Sequence, residues 1–167
     1  LAHLFEHLMF QGSENVPKNE HFQHIMKSGG VCNAFTMTDA TVYYDTMPSC
    51  NLETALWLES DRMNSLNLTV ENLENQKSVV IEEKKQVFDN APYGTALEYI
   101  FANVFRGSGY ESTTIGITED IRSFTVKDAV DFHNVYYSPH NAVLLISGDF
   151  EYSNAEKLIN KYFSGIN

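Results

Sequence analysis

The chain has 167 residues, 43% of them hydrophobic and 20% charged, with only two cysteines; this suits one globular domain and excludes a disulfide-dense scaffold or a Cys₄ zinc module. Lys and Arg number 11 against 22 Asp and Glu, so the net charge is −11; nucleic acid or an anionic membrane surface would repel such a chain, while cationic peptides would be weakly attracted. No apolar run reaches the ~18 residues of a membrane-spanning helix. The sequence starts without Met and directly inside a motif, and is read as a single domain, residues 1–167, cut from a longer protein; the missing targeting signal therefore says nothing about location.

In chain order, residues 1–10 are predicted helical, as are 18–28, ended by Gly29-Gly30. Residues 31–37 and 41–47 are β-rich around Thr38-Asp39-Ala40 and read as a hairpin closed by Pro48. Asn51 is a candidate N-cap for a helix to about Leu66. Thr69 precedes a longer helix from Val70 to about Asn90, which Pro92 stops, and residues 93–106 are helical again. After the loop at Gly107-Ser108-Gly109, Thr125 begins a helix over 126–137, stopped by Ser138-Pro139. Residues 142–147 read as a buried strand and 152–163 as a last helix. This order predicts an α+β fold with helices packed on a mainly antiparallel sheet.

The chemistry is concentrated in His3-Leu4-Phe5-Glu6-His7. Helix positions i and i+4 share one face, so His3 and His7 can offer two imidazole nitrogens to one metal ion, with Glu6 beside them. Neutral imidazole binds Zn²⁺ well, and a carboxylate next to an activated water can take its proton. This H-x-x-E-H order is the inverse of the commoner zinc motif. The bland alternative is a solvated helix face with an incidental histidine pair.

A catalytic zinc usually takes three protein ligands and keeps one position open. His21 and His24, at i and i+3, could form a second site but are accompanied by no third ligand or acid and read as surface residues; for His133 and His140 the bland structural reading is again preferred. The candidates for the third ligand are Glu82 and Glu83. On that helix Leu73, Val80 and Val87 define an apolar stripe; at about 100° per residue, Glu83 falls roughly 60° from it and Glu82 roughly 160°. Glu83 thus flanks the packed face and Glu82 faces solvent, although Lys77 and Lys84 also fall near the stripe. Gln76, two turns before Glu83, is placed to support the site by a hydrogen bond.

The segment Leu1-Ala2-His3-Leu4-Phe5-Glu6-His7-Leu8-Met9-Phe10-Gln11-Gly12-Ser13 resembles the opening signature of the pitrilysin/insulinase family of zinc metallopeptidases. The resemblance continues through Gly29-Gly30, Asn33-Ala34-Phe35-Thr36, Thr41-Val42-Tyr43-Tyr44, Leu52 to Met63, Val79-Val80-Ile81-Glu82-Glu83, Tyr136 to Ala142 and Gly148-Asp149. It implies half of a clamshell enzyme and a Zn²⁺ cofactor held by His3, His7 and Glu83, with 75 residues between the last two. It also implies Glu6 as general base and a peptide substrate added as an edge strand along 31–36, with Asn33 and Ala34 nearest the scissile bond. A second homologous half or subunit is the implied partner, and the resemblance is nearest to bacterial members exported to the periplasm. Gln76 departs from the family, many of whose members carry a glutamate there; an amide can hydrogen-bond but supplies no charge.

The rival class is a non-catalytic, processing-peptidase-like subunit that keeps the fold for assembly. Intact His3, Glu6, His7 and Glu83 favour the enzyme. A purely structural zinc module fits poorly, because structural sites are usually closed by Cys ligands. Cys32 and Cys50 are read as free thiols.

Overall fold

The computed structural model describes residues 1–166. In chain order the elements are α1 (Ala2–Leu8), α2 (Glu20–Lys27), β1 (Val31–Thr36), β2 (Thr41–Thr46), α3 (Leu52–Asn64), α4 (Val70–Lys84), α5 (Ala96–Val104), α6 (Thr118–Ser123), α7 (Val126–Tyr136) and α8 (Tyr152–Phe163). The fold is α+β: helices make up 55% of the chain, and the sheet among the described residues is the antiparallel hairpin of β1 and β2. The short helix α6 lies in a stretch that carries no clear sequence signal. No helix of the described residues is long and apolar enough to cross a membrane.

The chain forms two compact units, each drawn from separate stretches of sequence. The first comprises Leu1–Leu8, Ala34–Val42 and Thr69–Ala129. Here α1 packs on α4, and α4 on α6. Leu4, Phe5 and Leu8 are buried on α1, Leu73 and Val80 on α4, and Ile121 on α6; burial of each such side chain is worth roughly 1.5–3 kcal/mol. Thr69 caps α4 as the sequence suggests, its Oγ1 accepting from the Asn72 N–H at 3.1 Å. Lys77 and Lys84 are indeed buried on this helix. Their charges are met: Lys77 Nζ donates to Glu74 at 2.6 Å and to the Arg122 carbonyl at 3.1 Å, and Lys84 pairs with Glu98.

Val87 departs from the expected stripe. The α-helix ends at Lys84 and a π-helical turn follows over Lys85–Asp89. The wider turn alters the angular register, and Val87 is 53% exposed.

The second unit comprises Met9–Asn33, Tyr43–Leu68 and the stretch from Val130 onward. Within it α3 packs against α2 and α8, around a core of Val16, Ile25 and Leu58 with Cys32, Met47 and Trp57 alongside. Asp61 ties the loop after α1 to α3: Ser13 Oγ donates to its Oδ2, and Asn15 Nδ2 to its Oδ1 at 2.6 Å. Asn51 sits at the N-cap of α3 without capping it; its Nδ2 donates instead to the Ser28 carbonyl at 2.9 Å. Cys32 and Cys50 are free thiols.

Two sequence expectations fail in this unit. Residues 142–147 form no strand, and Val143 and Leu145 are 95% and 85% exposed. The run is apolar enough for a strand, but burial needs a neighbouring strand, and none pairs with it among the described residues. His21, expected at the surface, is 5% exposed. The stacked pair Phe10 and Phe22 and the hairpin residue Asp45 close over it.

Candidate metal centre

Seven residues of α1 set the register of the site. Leu4, Phe5 and Leu8 take the buried face, which leaves His3, Glu6 and His7 together on a half-buried flank. The two rings stand edge to face with centroids 4.9 Å apart. Glu83 comes from the last turn of α4, the helix packed on α1. Its two oxygens bracket the ring nitrogens: Oε1 lies 3.7 Å from His3 Nε2, and Oε2 lies 3.4 Å from His7 Nε2. All three residues offer a donor atom within 4.8 Å of one another. Tetrahedral zinc holds neighbouring N and O ligands roughly 3.3–3.5 Å apart, so these donors are already close to coordination distance.

Glu83 is half-buried and turned to the histidines, while Glu82 is exposed and pairs with Lys85 at 3.2 Å. Gln76 is buried two turns earlier.

The electrostatics suit a cation. Burial lowers the pKa of His3, and the neighbouring His7 lowers it further against the opposing pull of Glu6. His3 is therefore a neutral imidazole at neutral pH, the form that binds metal. Its Nδ1 is buried with no hydrogen-bond partner among the described residues. Across the site, Thr36 Oγ1 donates to Glu6 Oε2 at 2.5 Å and fixes that carboxylate. The Thr36 contact escapes the sequence, although the alternation of β1 hints at it: Cys32, Ala34 and Thr36 share the inner face, while Val31, Asn33 and Phe35 point outward.

Beside the start of α1 a cleft of about 200 Å³ is lined by Ala2, Thr36, Met37, Thr113, Ile115 and Asp120, among others. A larger hollow of about 510 Å³ lies on the Glu74, Lys77 and Glu82 side of α4, and neither histidine of the motif lines it.

Comparison with known proteins first gives a class, since the relatives include proteins named zinc protease and processing peptidase. The chain belongs to the insulinase family, peptidase family M16, whose model matches residues 1–118. A second family model, the M16 inactive domain, matches residues 123–167. The zinc protease PqqE of Helicobacter pylori is 34% identical over 166 residues, covering 99% of this chain and 37% of that protein. The beta subunit of the Bos taurus mitochondrial-processing peptidase is 26% identical over 162 residues, covering 97% of this chain and 33% of the subunit. A solved protease structure from Helicobacter pylori superposes with a TM-score of 0.96 at 34% identity, over 99% of this chain and 40% of that one. The chain thus spans between a third and two fifths of the length of these relatives.

Proposed function

We propose that this chain is the zinc-holding, catalytic-type part of an endopeptidase that hydrolyses peptides or small unfolded proteins. The observation that carries the reading is the pairing of both Glu83 oxygens with the Nε2 atoms of His3 and His7. A His₂Glu set with an open fourth position is a catalytic rather than a structural zinc arrangement. When bound, the metal supplies Lewis acidity to a carbonyl and to a water.

The remaining chemistry falls to the chain's own side chains. Glu6, fixed by Thr36, accepts a proton from the attacking water and returns it to the leaving amine. Gln76 supports the site from the buried face of α4. The peptide adds as a strand along β1, an edge strand of the hairpin, with Asn33 and Ala34 nearest the scissile bond. The cleft beside Thr36 is of a size for one or two substrate side chains. A second homologous half, as the length of the relatives supports, closes over the substrate. We place the protein in the bacterial periplasm, on the resemblance to exported bacterial members.

The rival subunit reading draws on the cytochrome b-c1 complex subunit 1 of Bos taurus, 26% identical over 165 residues. The complete motif supports the enzyme instead. Peptide cleavage by the longest available form of the protein, beside its Glu6→Gln variant, separates them. The enzyme reading predicts a loss of at least ~10²-fold in turnover with zinc content unchanged. No turnover in either form once zinc is bound supports the scaffold, and equal turnover in both contradicts the role given to Glu6.

A further inference from the structure

A second constellation stands in the other compact unit, and the proposed peptidase chemistry does not use it. His21 on α2, Cys32 on β1 and Asp45 on β2 present a nitrogen, a sulfur and an oxygen within 4.8 Å of one another. His21 Nε2 lies 4.0 Å from Asp45 Oδ1, and the two side chains are only 6% and 5% exposed. His21 Nε2 and both Asp45 oxygens have no hydrogen-bond partner among the described residues. Three buried polar atoms that converge without a hydrogen bond between them are costly as they stand.

The neighbouring charges do not relieve this. Glu59 Oε1 lies 4.0 Å from His21 Nε2, but Arg62 engages both Glu59 oxygens, through Nε at 3.0 Å and through Nη2. Arg62 is in turn held over the rings of Phe10 and Tyr43, at 4.9 and 4.6 Å from their centroids. Arg62 Nη1 remains buried without a hydrogen-bond partner, and Asp45, acted on by both charges, is a buried acid whose pKa burial and the neighbouring Glu59 raise to about 7.

We propose that His21, Cys32 and Asp45 form a second metal site, for a divalent cation that accepts mixed nitrogen, sulfur and oxygen ligands, with Zn²⁺ the best match. Thiolate excludes the hard cations Mg²⁺ and Ca²⁺, which take oxygen ligands. A neutral imidazole, a thiolate and a carboxylate would balance the ion's two charges and leave the buried cluster neutral. Tetrahedral zinc holds such donors about 3.3–3.7 Å apart, so binding requires a contraction of about 1 Å, within reach of side-chain rotation. Burial keeps the His21 imidazole neutral, its pKa lowered to about 3, which suits a ligand; burial and then the Asp45 charge raise the Cys32 thiol to about 11, so the ion must displace that proton on binding. His21 is the histidine expected at the surface; both of its partners here come from the hairpin.

Cobalt(II) titration of the chain tests this, because the His3, His7 and Glu83 site contains no sulfur. The proposal predicts a near-ultraviolet sulfur-to-cobalt charge-transfer band in the wild type. His3→Ala should keep the band and lose one bound equivalent. Cys32→Ser should lose the band and the other equivalent while retaining the wild-type circular dichroism. His21→Ala should weaken the band at least tenfold in cobalt affinity. A folded wild type that takes up cobalt with no such band, or a band that survives Cys32→Ser, overturns the site. Loss of the His3 site alone leaves this inference standing, and loss of this one leaves the peptidase reading standing.

Discussion

Thr36 and Glu6 show how a single contact turns a motif into a site. The five-residue pattern places a carboxylate beside two imidazoles, but the hydroxyl on β1 orients it. That hydroxyl is 30 positions away in sequence, beyond any helical periodicity. The histidines divide in the same way. His3 and His7 are legible because one helix turn fixes their relation. His21 is not, because its burial depends on Phe10, Phe22 and Asp45, which only folding brings together. His133, on α7, bears on stability. Burial lowers its pKa below the ordinary ~6.5 of imidazole, against hydrogen bonds with the Met63 backbone and Asn134 that raise it. The native state therefore binds fewer protons than the unfolded chain. The contribution of this group is complete above the unfolded value and is lost as pH falls from about 6.5 toward the lowered native one. Thermal unfolding of wild type and His133→Gln, followed from about pH 8 to pH 5, should show the wild type losing more stability across that range. Parallel losses would contradict the assignment.

At the scale of the element, boundaries are legible where a named residue closes the helix. The end of α2 is a Schellman motif: the Gly30 N–H donates to the Ile25 carbonyl at 2.9 Å and the Gly29 N–H to that of Met26 at 3.0 Å. Gly29 has φ +75°, which an L side chain adopts only under strain. Gly29→Ala should cost about 1–2 kcal/mol in denaturant unfolding. Gly109→Ala, at a loop glycine with open space around its Cβ position, should cost far less. Equal costs would show that the αL conformation is not what Gly29 supplies. Elements are lost to the sequence where burial depends on something outside them. The run 142–147 is apolar without a paired neighbour, and the end of α4 is rewound by a π turn that moves Val87 outward. A stripe counted at 3.6 residues per turn cannot foresee that change of register.

At the scale of the whole molecule, the central claim is a long-range one. Glu83 is separated from His7 by 75 residues, and only the packing of α4 on α1 brings it to the rings. The same packing explains why two adjacent glutamates differ. One α-helical step of about 100° turns Glu83 inward, where it meets both Nε2 atoms, and Glu82 outward to Lys85. Sequence periodicity narrows the choice, the resemblance selects Glu83, and the coordinates place its oxygens at the histidines. The most direct measurement is the zinc content of the purified chain beside its Glu83→Gln and Glu82→Gln variants, read as equivalents per chain. The account predicts that Glu83→Gln loses one equivalent relative to wild type while Glu82→Gln keeps the full complement. Full zinc in Glu83→Gln, or loss confined to Glu82→Gln, would contradict it.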